Sequence, residues 1–323
     1  MSEQLLYLSR SDIIELAITP EEARQAINSG FRDHFAGLNR ALPKTSLDIG
    51  PGHGFQSMSA ASQAKQAACM KWVAMAPVAA GGSGRGINGI VCVNDYESGT
   101  PLAIMDGDEL TLIRTAAMSA AAAAYLAPPE PQSIGMVGCG EQAYAHLNAF
   151  RSLFPSLSEI IAFSRSRSSA EQLCRKAREQ GLDASYADVS ADLLSRSDIV
   201  ISMVPGAPGL EAFLDARLLR PSSFVSAVDI GRSWLPDSFA AFDRLATDSL
   251  AQSKAPYDVN GKPVSTALFD SDLAGLAGGG TPKRVCGKRS LFCFRGFGLG
   301  DLALAGLALA RAREMKIGTV LPR

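Results

Sequence analysis

Ser133-Ile134-Gly135-Met136-Val137-Gly138-Cys139-Gly140-Glu141-Gln142-Ala143 is the stretch whose reading decides the fold. A short apolar run ends in a Gly-x-Gly-x-x-Ala turn and passes at once into a helical stretch from about Gln142. Gly138 permits the tight turn, Gly140 lets the backbone approach a pyrophosphate, and Ala143 lets helix and strand pack closely. The helix N-terminus then faces the phosphates with its free N–H groups and its dipole. A glycine-rich turn on its own can be merely structural. Set between a strand, a helix and a further strand, it predicts a dinucleotide site of the Rossmann type.

The chain downstream keeps this texture. IIAFSR, a helix from about Ser169, a short strand near Ala184 to Tyr186, DIVISMV and SFVSAVDIG alternate as a parallel sheet with crossovers requires. The sheet is expected from about Ser133 to Ser249. Upstream, Asp108 opens an alanine-rich helix that Pro128 and Pro129 stop, and the double proline marks the expected domain boundary. Before it, KTSLDI, ACMKWVAMA and GIVCVN read as strands separated by Gly-rich turns, including Gly81 to Gly86, and predict a largely antiparallel sheet. Near the start, Thr19, Pro20 and Glu22 form a capping box, with Ala23, Ile27, Phe31 and Phe35 as the apolar face. A last helix is expected from Asp301 to Met315.

Composition bounds the function. A chain of 323 residues has room for two domains, and 47% hydrophobic with 20% charged residues is the balance of a globular protein with a sizeable core. With 31 basic against 32 acidic residues it lacks the positive excess that a phosphate backbone or an anionic membrane surface would attract. The 6 cysteines sit in apolar stretches without metal-site spacing, so no metal is expected and they read as free thiols. The N-terminal stretch does not resemble a secretory signal, and Ala116 to Ala127 is too short to span a bilayer, which takes about 20 helical residues. A cytoplasmic protein is expected. The histidines, His34 and His146 among them, lack a nucleophile motif and read as structural.

The end of the strand after the glycine loop selects the cofactor, because an acidic residue there binds a ribose 2′-hydroxyl. Here it reads Ala162-Phe163-Ser164-Arg165-Ser166-Arg167, with two arginines and no carboxylate. Guanidinium groups beside serine hydroxyls suit a 2′-phosphate, favouring NADP(H) with NAD(H) as the alternative. The competing reading is a solvated loop.

At this point the chain resembles the ornithine cyclodeaminase and mu-crystallin family over nearly its whole length. The resemblance rests on PLAIMDGDELTLIRTAAMSAAAAAYLA (Pro101 to Ala127), then IGMVGCGEQAYAHL, and near the end LFCFRGFGLGDLALAGLALARA. It implies a homodimer of α/β chains: a substrate-binding and dimerisation α+β domain of residues 1–128 and 301–323, and a Rossmann domain of residues 129–300. It implies small amino or imino acid substrates, and members that are cyclodeaminases, alanine dehydrogenases, ketimine reductases or ligand reservoirs. By resemblance Arg114 binds a substrate carboxylate, Lys71 lies in the substrate pocket, and Lys44 stands where the family has a second carboxylate-binding arginine. Thr115, Glu141, Gln142, Met203, Val204 and Asp301 belong to the cofactor side, although Asp301 also suits a helix cap.

An alpha-amino or imino acid always presents a carboxylate, which is why fixed cations carry the argument. A buried Lys71 would also relay a proton, since desolvation lowers a lysine's pKa; snorkelling to the surface is its other reading. The cyclodeaminases have an acid-base aspartate late in the Rossmann domain. Asp229 is the only carboxylate at that strand end here, slightly early, and the family's Asp-Cys-Pro-Gly stretch is missing. Asp229 is thus read as a candidate acid-base group or as an ion-pair partner of Arg232. The favoured activity is NAD(P)H-dependent reduction of a cyclic imino or ketimine acid of the 1-pyrroline-2-carboxylate type, with cyclodeamination on bound NAD and non-catalytic ligand binding as alternatives.

Overall fold

The computed structural model describes residues 4–50, 52–76, 86–206, 209–280 and 287–322. Most of the Gly81 to Gly86 turn, and Cys286, lie outside the described residues. In chain order the elements are β1 (Gln4–Leu8), α1 (Arg10–Glu15), α2 (Pro20–Phe35), β2 (Asn39–Ala41), β3 (Thr45–Gly50), β4 (His53–Ser62), β5 (Ala67–Met75), β6 (Ile87–Asp95), β7 (Pro101–Asp106) and α3 (Gly107–Leu126). They continue as β8 (Ser133–Val137), α4 (Glu141–Leu153), β9 (Glu159–Phe163), α5 (Arg167–Glu179), β10 (Asp183–Tyr186), α6 (Ser190–Arg196), β11 (Ile199–Ser202), β12 (Phe224–Ala227) and β13 (Arg244–Thr247). The last are β14 (Ser271–Asp272), α7 (Leu273–Gly278), β15 (Ser290–Cys293), α8 (Gly298–Met315) and β16 (Thr319–Pro322).

Two compact units divide the chain, residues 1–115 with 296–323 and residues 116–295. The division therefore falls inside α3 and not at Pro128-Pro129. The prolines do end the helix, but α3 is continuous and its two halves pack in different units, so a helix stop and a unit boundary do not coincide here.

The first unit holds a sheet in the order β16-β1-β7-β6-β5-β4-β2, with β3 on β4. It is antiparallel except where β1 runs parallel to β7. Strands β1 and β16 had no sequence expectation. Period-two alternation is clearest in β5, where Cys69, Lys71 and Val73 are buried while Met70 and Trp72 are exposed. Helix α8 packs on β4, β5 and β6, and α2 packs on α8. The capping box of α2 forms: the Thr19 hydroxyl accepts from the Glu22 N–H at 3.3 Å, and the Glu22 carboxylate accepts from the Thr19 N–H at 2.9 Å. Ala23, Ile27 and Phe31 are buried as expected, but Phe35 in the last turn is exposed.

The second unit is a parallel sheet in the order β10-β9-β8-β11-β12-β15-β13-β14. It extends past the expected Ser249 because β14 and β15 join it. From β8 the chain builds outward through β9 and β10, then crosses back to add β11 and β12 on the other side. Such a reversal opens a crevice between β8 and β11 at the carboxyl ends of the strands, where folds of this kind bind ligands. Gly138 follows β8 and Met203 follows β11, so both flank that point.

A polar chain runs through the core of this unit. The Ser226 hydroxyl donates to Ser119 at 2.9 Å, Ser119 lies 2.9 Å from His146 Nε2, and His146 Nδ1 lies 2.7 Å from the Gln142 carbonyl. The carbonyl needs a donor, so Nδ1 carries the proton and Nε2 accepts from Ser119. Burial holds the His146 pKa down at about 4, against the raising effect of the Gln142 carbonyl. Because the folded value is depressed, the fold favours the neutral ring; that stability is whole above pH 6.5 or so and is lost as pH falls toward 4. Replacing His146 with asparagine, which does not titrate there, should remove up to about 2 kcal/mol of the stability difference between pH 7 and pH 4.5. Urea unfolding at the two pH values measures it, and an identical pH dependence in wild type and variant would refute it.

Candidate active site

The glycine loop sits as its residue types require. Gly138 has φ +92, and a side chain there would come within 3.0 Å of the Met203 carbonyl oxygen. Only glycine meets both conditions. Gly140 caps α4 without any side-chain hydrogen bond, and a Cβ on it would meet nothing within 4 Å. Open space in front of uncapped helix N–H groups is what a pyrophosphate needs. Ala143 is fully buried against the sheet, Glu141 is exposed, and Gln142 keeps a buried Oε1 without a hydrogen bond. Met203 and Val204 are half-buried at the end of β11. These residues fit a dinucleotide.

At the end of β9, Ser166 caps α5 by accepting from the Ser169 N–H at 3.4 Å, and Ser164 accepts from the Ser166 N–H at 3.3 Å. The two arginines differ. Arg167 is engaged: it pairs with Glu171 at 3.1 Å, and its guanidinium lies 4.4 Å from the centre of the Tyr186 ring and donates to the Tyr186 hydroxyl. Arg165 is exposed on the loop itself.

In the first unit the structure brings Lys71, Arg114 and Asp301 together. Lys71 lies on the inward face of β5 and is 1% exposed, so the snorkelling reading fails. Its Nζ donates to Asp301 Oδ1 at 2.6 Å and to the Thr111 hydroxyl at 3.3 Å. Arg114 Nε stands 3.1 Å from the same carboxylate oxygen, close enough for an ion pair but without hydrogen-bond alignment. Its guanidinium lies over Gly296, where a Cβ would approach to 3.3 Å. Asp301 sits in the first turn of α8, whose dipole favours an anion. Burial, then the Arg114 charge, lowers the Lys71 pKa to about 8, while Asp301 opposes the shift.

Two cations face one carboxylate, so the cluster keeps one positive charge. Asp301 Oδ2 is buried and has no hydrogen-bond partner. The arrangement can therefore take up one anion and one N–H donor. Thr115, next to Arg114, is buried with its hydroxyl donating to the Thr111 carbonyl at 2.6 Å. Lys44 is half-buried in the link between β2 and β3.

Asp229 belongs to the other unit and is buried there at the end of β12. Its Oδ1 accepts from the Ser202 hydroxyl at 3.0 Å and the Gly231 N–H at 3.2 Å, and its Oδ2 from the Ser233 hydroxyl at 2.5 Å. Burial raises its pKa to about 6 in spite of these donors. Sequence reasoning missed Thr111 and the two serines, which no motif marks. The pairing of Asp301 with Lys71 had a usable signal, because two cations expected in one apolar unit require a counter-charge. Among the described residues, no group of His, Cys, Asp or Glu side chains could hold a metal ion, and no helix is long and apolar enough to cross a membrane.

Comparison with known proteins shows the family and the fold. The model of the ornithine cyclodeaminase/mu-crystallin family matches residues 4–236. The alanine dehydrogenase of Archaeoglobus fulgidus is 26% identical over 330 residues, covering 98% of each chain. The ketimine reductase mu-crystallin of Rattus norvegicus is 30% identical over 221 residues, 67% of each. Among solved structures, the Thermococcus litoralis Delta(1)-pyrroline-2-carboxylate reductase, in complex with NADH and L-proline, superposes with a TM-score of 0.86 at 21% identity, covering 98% of this chain and 99% of that one.

The cluster makes a stability prediction. Replacing Asp301 with alanine strands two buried cations, at a loss of about 3 to 5 kcal/mol, whereas Lys71→Met leaves a balanced Arg114–Asp301 pair and should lose less. The Asp301→Ala loss should be larger near pH 6 than near pH 9, because a stranded lysine can shed its proton as pH rises. Urea unfolding of both variants at the two pH values checks this, and a smaller loss for Asp301→Ala than for Lys71→Met would contradict it.

Proposed function

The chain belongs to the ornithine cyclodeaminase/mu-crystallin family, and from that premise we propose an NAD(P)H-dependent reductase of a small cyclic imino or ketimine acid, of the 1-pyrroline-2-carboxylate type. The observation that carries the reading is the Lys71–Asp301–Arg114 cluster, with its residual positive charge and its unpartnered Asp301 Oδ2. A cyclic imino acid has the complementary groups, a carboxylate and a protonated imine N–H. The names of the relatives support the same class, since they include a ketimine reductase and a reductase holding NADH and L-proline.

Residue by residue, Arg114 offers a planar fork for the carboxylate. Lys71 adds a second cation and, with a pKa of about 8, holds a proton that it can pass to the amine nitrogen formed once hydride has reached the imine carbon. Asp301 fixes the Lys71 ammonium and accepts from the substrate N–H. Gly138, Gly140 and the start of α4 would hold the dinucleotide, which when bound supplies a hydride for the imine carbon.

We assign NADPH as the preferred cofactor and NADH as the weaker one. Arg165 is exposed on a loop with Ser164 and Ser166 and no carboxylate, which suits a 2′-phosphate. We also assign a homodimer. Tyr7, Met70, Trp72 and Ile90 expose a continuous apolar face on the first unit's sheet, linked through the pairs Trp72–Ile90 and Met70–Cys92, and a second copy would cover it. The described cysteines are free thiols, in keeping with a reducing cytoplasm.

Two measurements test these assignments. With a panel of cyclic imines under steady-state conditions, Arg114→Lys should lower kcat/KM steeply and Arg114→Ala further, by several kcal/mol in transition-state terms, while NADPH affinity changes little. An Arg114→Ala enzyme that keeps most of its kcat/KM rules out the anchor. Arg165→Ala should weaken NADPH by roughly 1.5 to 3 kcal/mol and leave NADH nearly unchanged, read by fluorescence titration. Equal losses for both cofactors, or an initial preference for NADH, would remove the NADPH assignment.

A further inference from the structure

We propose that Asp229 is a positioning residue: its carboxylate ties the end of β11 to the end of β12 and so sets where residues 203–206 stand beside the glycine loop. The proposal rests on the dinucleotide reading above and concerns which residues shape that site.

The carboxylate is occupied on every side. Beyond the Ser202, Ser233 and Gly231 donors, the Val204 N–H also points to it. Trp234 Nε1 donates to the Ser202 oxygen at 3.0 Å, which leaves the Ser202 proton directed at Asp229. A carboxylate has about four acceptor sites, and four donors fill them. Adding a proton would require one of the serine hydroxyls to turn and accept, since the two backbone N–H groups cannot. The four donors thus hold the ionised carboxylate in place against the raising effect of burial, and they orient it toward the strand ends and not toward a substrate.

The backbone beside it gives the second observation. Ile230 has φ +57 and Gly231 φ +91, two consecutive left-handed residues of which the first is β-branched. A β-branched residue rarely adopts that conformation, and it persists only where the surroundings over-determine it. They do so here: Asp229 Oδ1 takes the Gly231 N–H, the Ile230 carbonyl accepts from the Tyr257 N–H at 3.0 Å, and a side chain at Gly231 would meet Pro256 at 2.9 Å.

The consequence falls on the cofactor edge. Ser202 ends β11, the Met203 N–H donates to the Val137 carbonyl at 2.8 Å, and the Met203 carbonyl closes on Gly138. The segment after β11 is therefore gripped on one side by the glycine loop and on the other by Asp229. If the grip loosens, the dinucleotide meets a displaced wall, while the proton-transferring groups of the first unit are untouched.

The test compares Asp229→Asn, Ser202→Ala and Ser233→Ala for NADPH dissociation constant, for kcat at saturating NADPH and for Tm. Each variant should weaken NADPH by about tenfold or more, the loss expected for a hydrogen bond to a charged group, while kcat at saturation stays within a few-fold. The double variant Ser202→Ala/Asp229→Asn should be less than additive, because both remove one network. The serine variants decide the matter where Asp229→Asn does not fold. A collapse of kcat in Asp229→Asn with normal NADPH binding would make Asp229 the proton donor and overturn the proposal. Lower Tm with unchanged NADPH affinity would reduce it to a stability element and overturn it equally. Wild-type protein that binds neither dinucleotide overturns the cofactor reading itself, and this proposal with it.

Discussion

A carboxylate shared by two cations, with none of the three in water, is the interaction on which the first unit turns. Asp301 lies in the first turn of α8, whose cap is Phe297 and not Asp301; Lys71 lies mid-strand in β5, and Arg114 lies on α3. These elements are far apart in sequence, and their meeting fixes how the closing helix returns to the sheet. Desolvating three charges is expensive and is tolerated only when the partners are in place. Stability alone would be served as well by apolar side chains. The cluster retains a net positive charge and an unpartnered oxygen, the two features on which the proposed recognition of an amino-acid head group rests.

The second unit solves a different problem, holding a backbone surface open to a phosphate group. Its central strands β8, β11, β12 and β15 are buried along their whole length, so no alternation marks them and their order follows from crossover topology. The reversal between β8 and β11 places two chain ends side by side. One is shaped by a glycine whose side chain would strike a carbonyl. The other is held by a buried aspartate and a strained turn.

Much of this was legible in the sequence. The glycine loop announced the parallel sheet because its three small residues answer separate steric demands. The Thr19 capping box announced α2 to the residue. Lys71 and Arg114 were named from residue type and family likeness, and alternation in β5 explains why Lys71 faces inward. Other features were hidden for physical reasons. Strands β1 and β16 are short and pair with partners from opposite ends of the chain, a relation that no local pattern carries. Phe35 kept the helical spacing but sits in the last turn of α2, where the core no longer reaches. The double proline stops α3 without dividing the units, since packing, not helix termination, decides which residues cluster into one unit. The Ser202 and Ser233 contacts depend on strand ends brought together only by the sheet.

The two cations of the cluster are not interchangeable. Arginine does not lose its proton in a protein, so Arg114 can serve only as a fixed charge, and its fork suits a carboxylate. Lysine can lose its proton, and burial brings the Lys71 pKa to about 8. At pH 7 such a group is still about nine-tenths protonated, yet it releases its proton about 3 kcal/mol more readily than an exposed lysine. Asp301 governs this balance, because without its opposing charge burial and Arg114 would drive the lysine neutral. The cluster would then lose half of its cationic character and its only transferable proton in the same step. In the proposed reaction, binding and proton supply would thus both depend on a single carboxylate, and the proposed roles, arginine as anchor and lysine as donor, rest on which of the two can titrate.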